Sequence, residues 1–434
     1  MERLLLNQLL SWKNRSTRQP ILIDGARQVG KSYLLEHLFA PTFERVHILD
    51  FNADRTLADL FDETLYPDQV VQNIEIKFNT TINLDTDLLV FDEIGECQAA
   101  VDSLKYFAEQ TPTAFIAASG SNIGLIDSFP VGKVQVEELF PLSFEEFLMA
   151  SGRDKLLESF RSMTQTKVVH TQLWATLLDY YFVGGMPEAV KTWYGEGTSQ
   201  QRSVRVTDIH RQLLDGYTRD FGKYSGKVDA QHIETVFTNV ARQLAKNVDG
   251  SVQRFRFKGV VPNQSRYRQL SGPIDWLEKS RLVSKCYPIA SQPTIPFESL
   301  IKPNIFKLFA FDVGVLRTQL RLTLTDVQDQ DFAYKGYVAE NFVQNELRSN
   351  GLSPTYSWEQ GRSQIEFLHR SRSGDVIPVE VKSGTRTKAK SLRAYIDRYE
   401  PSTAVKLIGS QGSEQPAGPI STWPLYHAAS IADL

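Results

Sequence analysis

The sequence predicts an α/β chain that opens on a parallel sheet, continues through a mainly helical unit and closes on an α+β unit. Three observations predict it. Over residues 1–160, short apolar runs alternate with helical patterns: Ile21 to Ile23, Val46 to Phe51, Leu88 to Phe91 and Ala114 to Ala118. That is the rhythm of βα units building a parallel sheet. Over 161–330 the pattern turns helical, through Leu173 to Phe182, Thr207 to Tyr217, Ala230 to Lys246 and Tyr267 to Lys279. Over 331–434 a helix pattern from Tyr334 to Arg348 precedes SQIEFLHRSRSGDVIPVEVKSG, which reads as a strand, a Ser-Gly turn and a strand.

The bulk numbers agree with this division. A length of 434 residues corresponds to about three domains at roughly 150 residues each. A net charge of -3 excludes a whole-protein attraction to nucleic acid or anionic membrane, so any such binding needs a local patch. Cys97 and Cys286 stand far apart without metal-type spacing, and neither a disulfide framework nor a zinc site is indicated. No apolar window is long enough to span a membrane. The reading is a cytoplasmic protein without membrane association.

The strongest motif is ILIDGARQVGKS. An apolar strand runs into Gly25-x-x-x-x-Gly30-Lys31-Ser32 and a helix pattern follows at once, which is the context a phosphate-binding loop requires. Its chemistry dictates its residues. Glycines let the backbone N–H groups of Gly25, Ala26, Arg27, Gln28, Val29, Gly30, Lys31 and Ser32 wrap phosphates, Lys31 bridges the β- and γ-phosphates of ATP, and Ser32 ligates Mg²⁺. The motif calls for a partner carboxylate on a neighbouring strand. LLVFDEIGE supplies Asp92 for the metal shell and Glu93 to orient the attacking water. Downstream, AASGSN ends another buried strand in polar groups, with Ser121 and Asn122 at the position of a γ-phosphate sensor.

Taken together, GARQVGKS, LLVFDEIGE, AASGSN, VGKVQVEELFPLSFEEFL and FVGGMPEAV resemble the prokaryotic AAA-type P-loop ATPases that carry a C-terminal domain of unassigned function, restriction-endonuclease-like in fold. The resemblance covers nearly the whole chain. It implies an ATPase domain, a winged-helix-like middle and assembly of several copies. Relatives usually have arginine where this chain has Lys133, and lysine lacks the bidentate fork.

From Arg242 to Lys285 ten Lys or Arg face three acids, Asp249, Asp275 and Glu278. Within VQRFRFKG, Arg254, Arg256 and Lys258 alternate with Phe255 and Phe257, so a strand would hold charges on one face and rings on the other. This segment resembles the wing of a winged helix and makes DNA an expected partner.

The C-terminal strand carries Glu380-x-Lys382. About one or two such matches arise by chance in a chain of this length, and Glu75-Ile76-Lys77 is another. The second copy has better company: a hairpin would set Glu366 beside Glu380, and Glu340 lies on the preceding helix. Two carboxylates suit Mg²⁺ and the lysine would steady the developing phosphate charge. In the family the first strand usually reads Glu-Ile-Asp-Phe. Here it is Gln364-Ile365-Glu366-Phe367, with one charge removed and one acid lengthened. Three functions follow from these residues: a Mg²⁺-dependent ATPase acting on or with DNA, a nucleotide-switched DNA-binding or scaffold protein that cuts nothing, and an ATP-regulated DNA nuclease.

Overall fold

The computed structural model describes residues 1–126, 128–245, 254–329, 335–384, 389–413 and 415–434, with backbone alone at 223–228 and 245. Lys246, Asp249, Val252, Gln253, Phe332 and Tyr334, which figure in the expected helices and basic strand, lie outside these residues. The chain forms two compact units, Met1–Phe140 with Lys279–Arg281, and Pro141–Glu278 with Leu282–Leu434.

In the first unit β1 (Ile21–Asp24), β2 (Val46–Asp50), β3 (Leu88–Asp92), β4 (Phe115–Gly120) and β5 (Gln135–Glu138) form a wholly parallel sheet. Its order is β2-β3-β4-β1-β5. Strands β1 and β3 are buried along their whole length, as a parallel sheet covered on both faces requires, which is why they read as unbroken apolar runs. Leu22, Leu89 and Phe91 pack with Leu104 and Phe107 of the helix Gln98–Gln110. β5 escaped the sequence reading because it is a half-exposed edge strand of largely polar composition. The Glu75-Ile76-Lys77 copy sits on the helix Pro67–Phe78. There Glu75 accepts the Ile82 N–H at 2.7 Å and Lys77 donates to the Thr56 hydroxyl at 2.6 Å, so both serve local structure.

The second unit is built around one sheet of β6 (Val283–Ile289), β7 (Lys307–Ala310), β8 (Thr355–Gln360), β9 (Ser363–Arg370), β10 (Val376–Lys382), β11 (Ala404–Ile408) and β12 (Ile420–Pro424), in the order β12-β11-β10-β9-β8-β6-β7. β8, β9 and β10 form an antiparallel meander, and β10, β11 and β12 run parallel. β6 pairs with β7 and, in parallel, with β8. Two strands from the segment before residue 330, β6 and β7, thus share one sheet with the strands that follow it. β6 is nearly all buried, and such a strand needs a hydrogen-bonded neighbour on each side.

Two other expectations are corrected here. The helices read at Thr207 to Tyr217 and Ala230 to Lys246 belong to one helix, Ser199–Ala245; the stretch holds glycines but no proline to break it. Residues 254–257 form no strand. Their side chains still alternate, with Phe255 buried while Arg254 and Arg256 are exposed.

The FVGGMPEAV and PLSFEEFL motifs turn out to be packing devices. A Cβ at Gly185 would stand 2.1 Å from the Leu142 carbonyl oxygen, and the Gly185 N–H donates to the buried Asp312 at 2.6 Å. Ser143 and Glu146 form a capping box at the start of the helix Phe144–Ala150, and Glu346 accepts the Phe144 N–H at 2.9 Å. Burial pushes the Glu346 carboxyl up to about 8, with Glu146 and Glu145 adding to the shift and the Phe144 N–H opposing it. An acid whose folded pKa is raised binds its proton more tightly when folded. Stability from this group is therefore full below the unfolded value of 4.5 and falls as pH rises to about 8. Glu346→Gln keeps the acceptor and removes the charge, so its thermal midpoint is expected to exceed that of the parent at pH 8 and to match it near pH 5. Parallel midpoints at both pH values would refute the assignment.

Candidate nucleotide site and acid–lysine cluster

The phosphate loop leaves the carboxyl end of β1, and its geometry follows from two residues. Gly30 has φ 96° and Gln28 φ 69°, the left-handed region that glycine adopts without strain. At Gly25 a Cβ would stand 2.4 Å from the Leu139 carbonyl oxygen, so the first glycine lets the loop lie against the exit of β5. Arg3 donates to the Val29 carbonyl at 2.8 Å and so ties the loop to the N-terminal segment. The helix that follows begins with one α-turn at Lys31–Tyr33 and widens to a π-helix over Leu34–Phe39.

Because β4 lies between β1 and β3, its carboxyl end stands between the loop and the acidic strand. The predicted residues meet there. Lys31 is buried and donates to the Gly25 and Ala26 carbonyls, each at 3.1 Å, and to the Ser121 hydroxyl at 2.8 Å. Burial lowers its pKa, although Glu93, Asp24 and Asp92 oppose the shift. The Ser32 hydroxyl donates to Asp92 Oδ2 at 2.8 Å, and the Ser119 hydroxyl donates to Asp92 Oδ1. Glu93, itself left-handed at φ 49°, accepts the Ser121 N–H and hydroxyl, each at 3.1 Å. Asn122 is buried and left-handed at the end of β4.

Ser32 and Asp92 present two hard oxygen donors side by side. That small set fits Mg²⁺, which keeps several waters and takes few protein ligands.

Lys133 stands elsewhere. It precedes β5 and pairs with Glu109, near the end of the helix Gln98–Gln110, at 2.9 Å, at the edge of the sheet opposite the loop. The sequence reading missed Arg281, which belongs to the first unit. It binds Asp24 at 2.7 Å and Glu138 at 3.2 Å, while the other Asp24 oxygen accepts the Gly25 N–H at 2.8 Å. Nothing near Arg281 in the sequence signals this role, since Asp24 lies 257 positions away.

In the second unit the expected hairpin forms. Val379 pairs with Phe367, and just beyond it the Glu366 side-chain carboxylate accepts the Val381 N–H at 3.0 Å. Lys382 reaches Glu380 at 3.1 Å and Glu366 at 3.4 Å. Burial pushes Glu366 up to about 7, opposed by Lys382 and increased by Glu340 and Glu380. Burial also raises Glu380, against Lys382 and Lys406, and leaves its Oε2 without a hydrogen-bond partner among the described residues. Glu340 is engaged by Lys307 of β7, a partner the sequence did not suggest. With lysines set between the acids, no group of three or more His, Cys, Asp or Glu able to hold a metal ion occurs among the described residues.

A wholly parallel sheet, a glycine loop after its β1 strand and a Ser–Asp pair across the loop define a P-loop nucleotide-binding domain. Residues 17–148 match the family model described as an AAA domain, which agrees with the P-loop geometry of the first unit. Residues 175–326 and 335–424 match two models, each described as a domain of unknown function, DUF8612 and DUF4143. None of the curated proteins matches the chain. Among solved structures, a chain from the structure of Drosophila ORC bound to DNA is 10% identical over 73% of this chain and 85% of that one, with a TM-score of 0.26; so loose a superposition does not establish a shared fold. No described helix is long and apolar enough to cross a membrane.

Ser119→Ala is expected to free one oxygen of Asp92 and loosen its aim at Ser32. The Mg²⁺ concentration for half-maximal nucleotide binding should rise several-fold, while nucleotide affinity at saturating Mg²⁺ changes little. An unchanged Mg²⁺ requirement would show that Ser119 does not position Asp92.

Proposed function

We propose that the chain is a Mg²⁺-dependent ATPase that acts with DNA and assembles as several copies. One observation carries the ATPase reading: Lys31, Ser32, Asp92, Glu93, Ser119 and Ser121 form a connected hydrogen-bond network at the carboxyl ends of β1, β3 and β4. The loop N–H groups receive the phosphates, and Lys31 exchanges its carbonyl and Ser121 partners for phosphate oxygens. Ser32 and Asp92 would hold Mg²⁺, which would supply charge neutralisation to the phosphates. Glu93 orients the attacking water, and Ser121 and Asn122 read the γ-phosphate.

Lys31→Ala should abolish ATP turnover, and turnover equal to the parent would refute the site. Glu93→Gln should still bind ATP but hydrolyse it more slowly by about 10²-fold or more. Equal rates would remove Glu93 from the chemistry.

A second reading concerns Glu340, Glu366, Glu380 and Lys382. A helix, an antiparallel meander, a helix and a parallel strand, with Glu380 buried and one of its oxygens unpartnered among the described residues, favour a restriction-endonuclease-like module. As an active nuclease it would cut DNA with Mg²⁺ or Mn²⁺ and lose cutting in Glu380→Ala. Salt-dependent DNA binding without metal-dependent cutting would instead identify a nucleotide-switched DNA-binding or scaffold protein.

A further inference from the structure

A cavity of about 410 Å³ opens in the second unit, lined by the helix Ser199–Ala245, residues 254–259 and the start of β7. Its polar wall is Asn239, Gln243, Arg254, Arg256, Lys258 and Lys307, and among the described residues no carboxylate lines it. Gln243 holds the wall in place: its amide donates to the Arg256 carbonyl and accepts the Arg256 N–H, both at 2.8 Å. From the other side the Phe255 N–H donates to the Phe306 carbonyl at 2.7 Å. This segment, which is not a strand, is thereby hydrogen-bonded from both sides. Arg254 is paired with Glu359 and Lys307 with Glu340. Arg256 and Lys258 are exposed and carry no acidic partner among the described residues.

We infer that this cavity is a phosphate-binding site for a nucleic-acid backbone. This rests on the reading that the protein acts with DNA, and it assigns the contact to a place. Concave cationic walls flanked by amides match phosphodiester oxygens, which accept such donors without regard to base. The rings beside the cations are already engaged. Phe255 is buried, and Phe257 packs on Tyr267 and Phe306 with centroids 5.6 and 6.0 Å away. Neither is free to stack on a base, so the site recognises a backbone, and it offers little to a free mononucleotide.

The test is fluorescence anisotropy of the full chain with two labelled DNA duplexes of unrelated sequence, titrated at several salt concentrations. The double variant Arg256→Ala, Lys258→Ala should bind both duplexes weaker by on the order of tenfold, and its salt slope should fall by about two. The charge-retaining variant Arg256→Lys, Lys258→Arg should bind like the parent. Turnover of ATP without DNA should be the same in all three proteins. Duplex affinity and salt slope unchanged in the alanine variant would overturn the site and leave the DNA reading standing. Absence of duplex binding by the parent itself would overturn both. Weakening of one duplex only, or displacement by orthophosphate at concentrations that leave ionic strength unchanged, would replace the backbone with base readout or with a free phosphate as the ligand.

Discussion

The carboxylate of Asp92 is the point on which the first unit turns. One oxygen takes the Ser32 hydroxyl from the loop and the other takes the Ser119 hydroxyl from β4. A buried carboxylate left without donors carries a heavy desolvation cost, so each hydroxyl satisfies the acid while the acid fixes the hydroxyls. This arrangement needs β4 between β1 and β3. With those strands adjacent, Ser119 and Ser121 would stand outside the gap, and Lys31 and Glu93 would lose the residue that joins them.

The second unit applies the opposite balance. Its acids are buried more deeply than hydrogen bonding from the backbone alone can satisfy, and lysines answer them: Lys307 of β7 on Glu340, and Lys382 of β10 on Glu366 of β9 and on Glu380 of its own strand. Burial works against the Lys382 charge, yet the two carboxylates outweigh it and leave its pKa raised. Buried ion pairs seldom add net stability, because desolvation offsets their attraction. What they do here is define which side chains share an interior that apolar residues would otherwise fill.

The legible parts of the sequence were those in which local pattern and tertiary role coincide. Buried parallel strands announce themselves as apolar runs, and the loop announces itself because glycine conformation, lysine and serine must occur at fixed spacing. The hairpin bearing Glu366 and Glu380 was legible for the same reason, since a short turn between alternating strands fixes its own register. What escaped depends on partners distant in the chain. Lys307 opposite Glu340 and Arg281 on Asp24 leave no mark on their neighbours. β5 hid because an edge strand need not be apolar, and the long helix was split in reading because its glycines look like breaks when no tertiary packing is in view. Arg256 and Lys258 show the intermediate case: alternation gave the correct sides, while Gln243 supplied the pairing that a strand would have made.

Gly25 shows that a motif's residue can be required from outside the motif. Its hydrogen faces the Leu139 carbonyl at the end of β5, where a methyl group would collide with backbone. Transplanting GARQVGKS onto another parallel sheet would therefore carry over the phosphate-wrapping backbone but not the reason for its first residue. A recipient whose fifth strand exits farther away would tolerate alanine there, and one with the same exit would not. Compatibility of such a graft is decided by the strand beside the loop, a segment that no comparison of loop sequences would inspect.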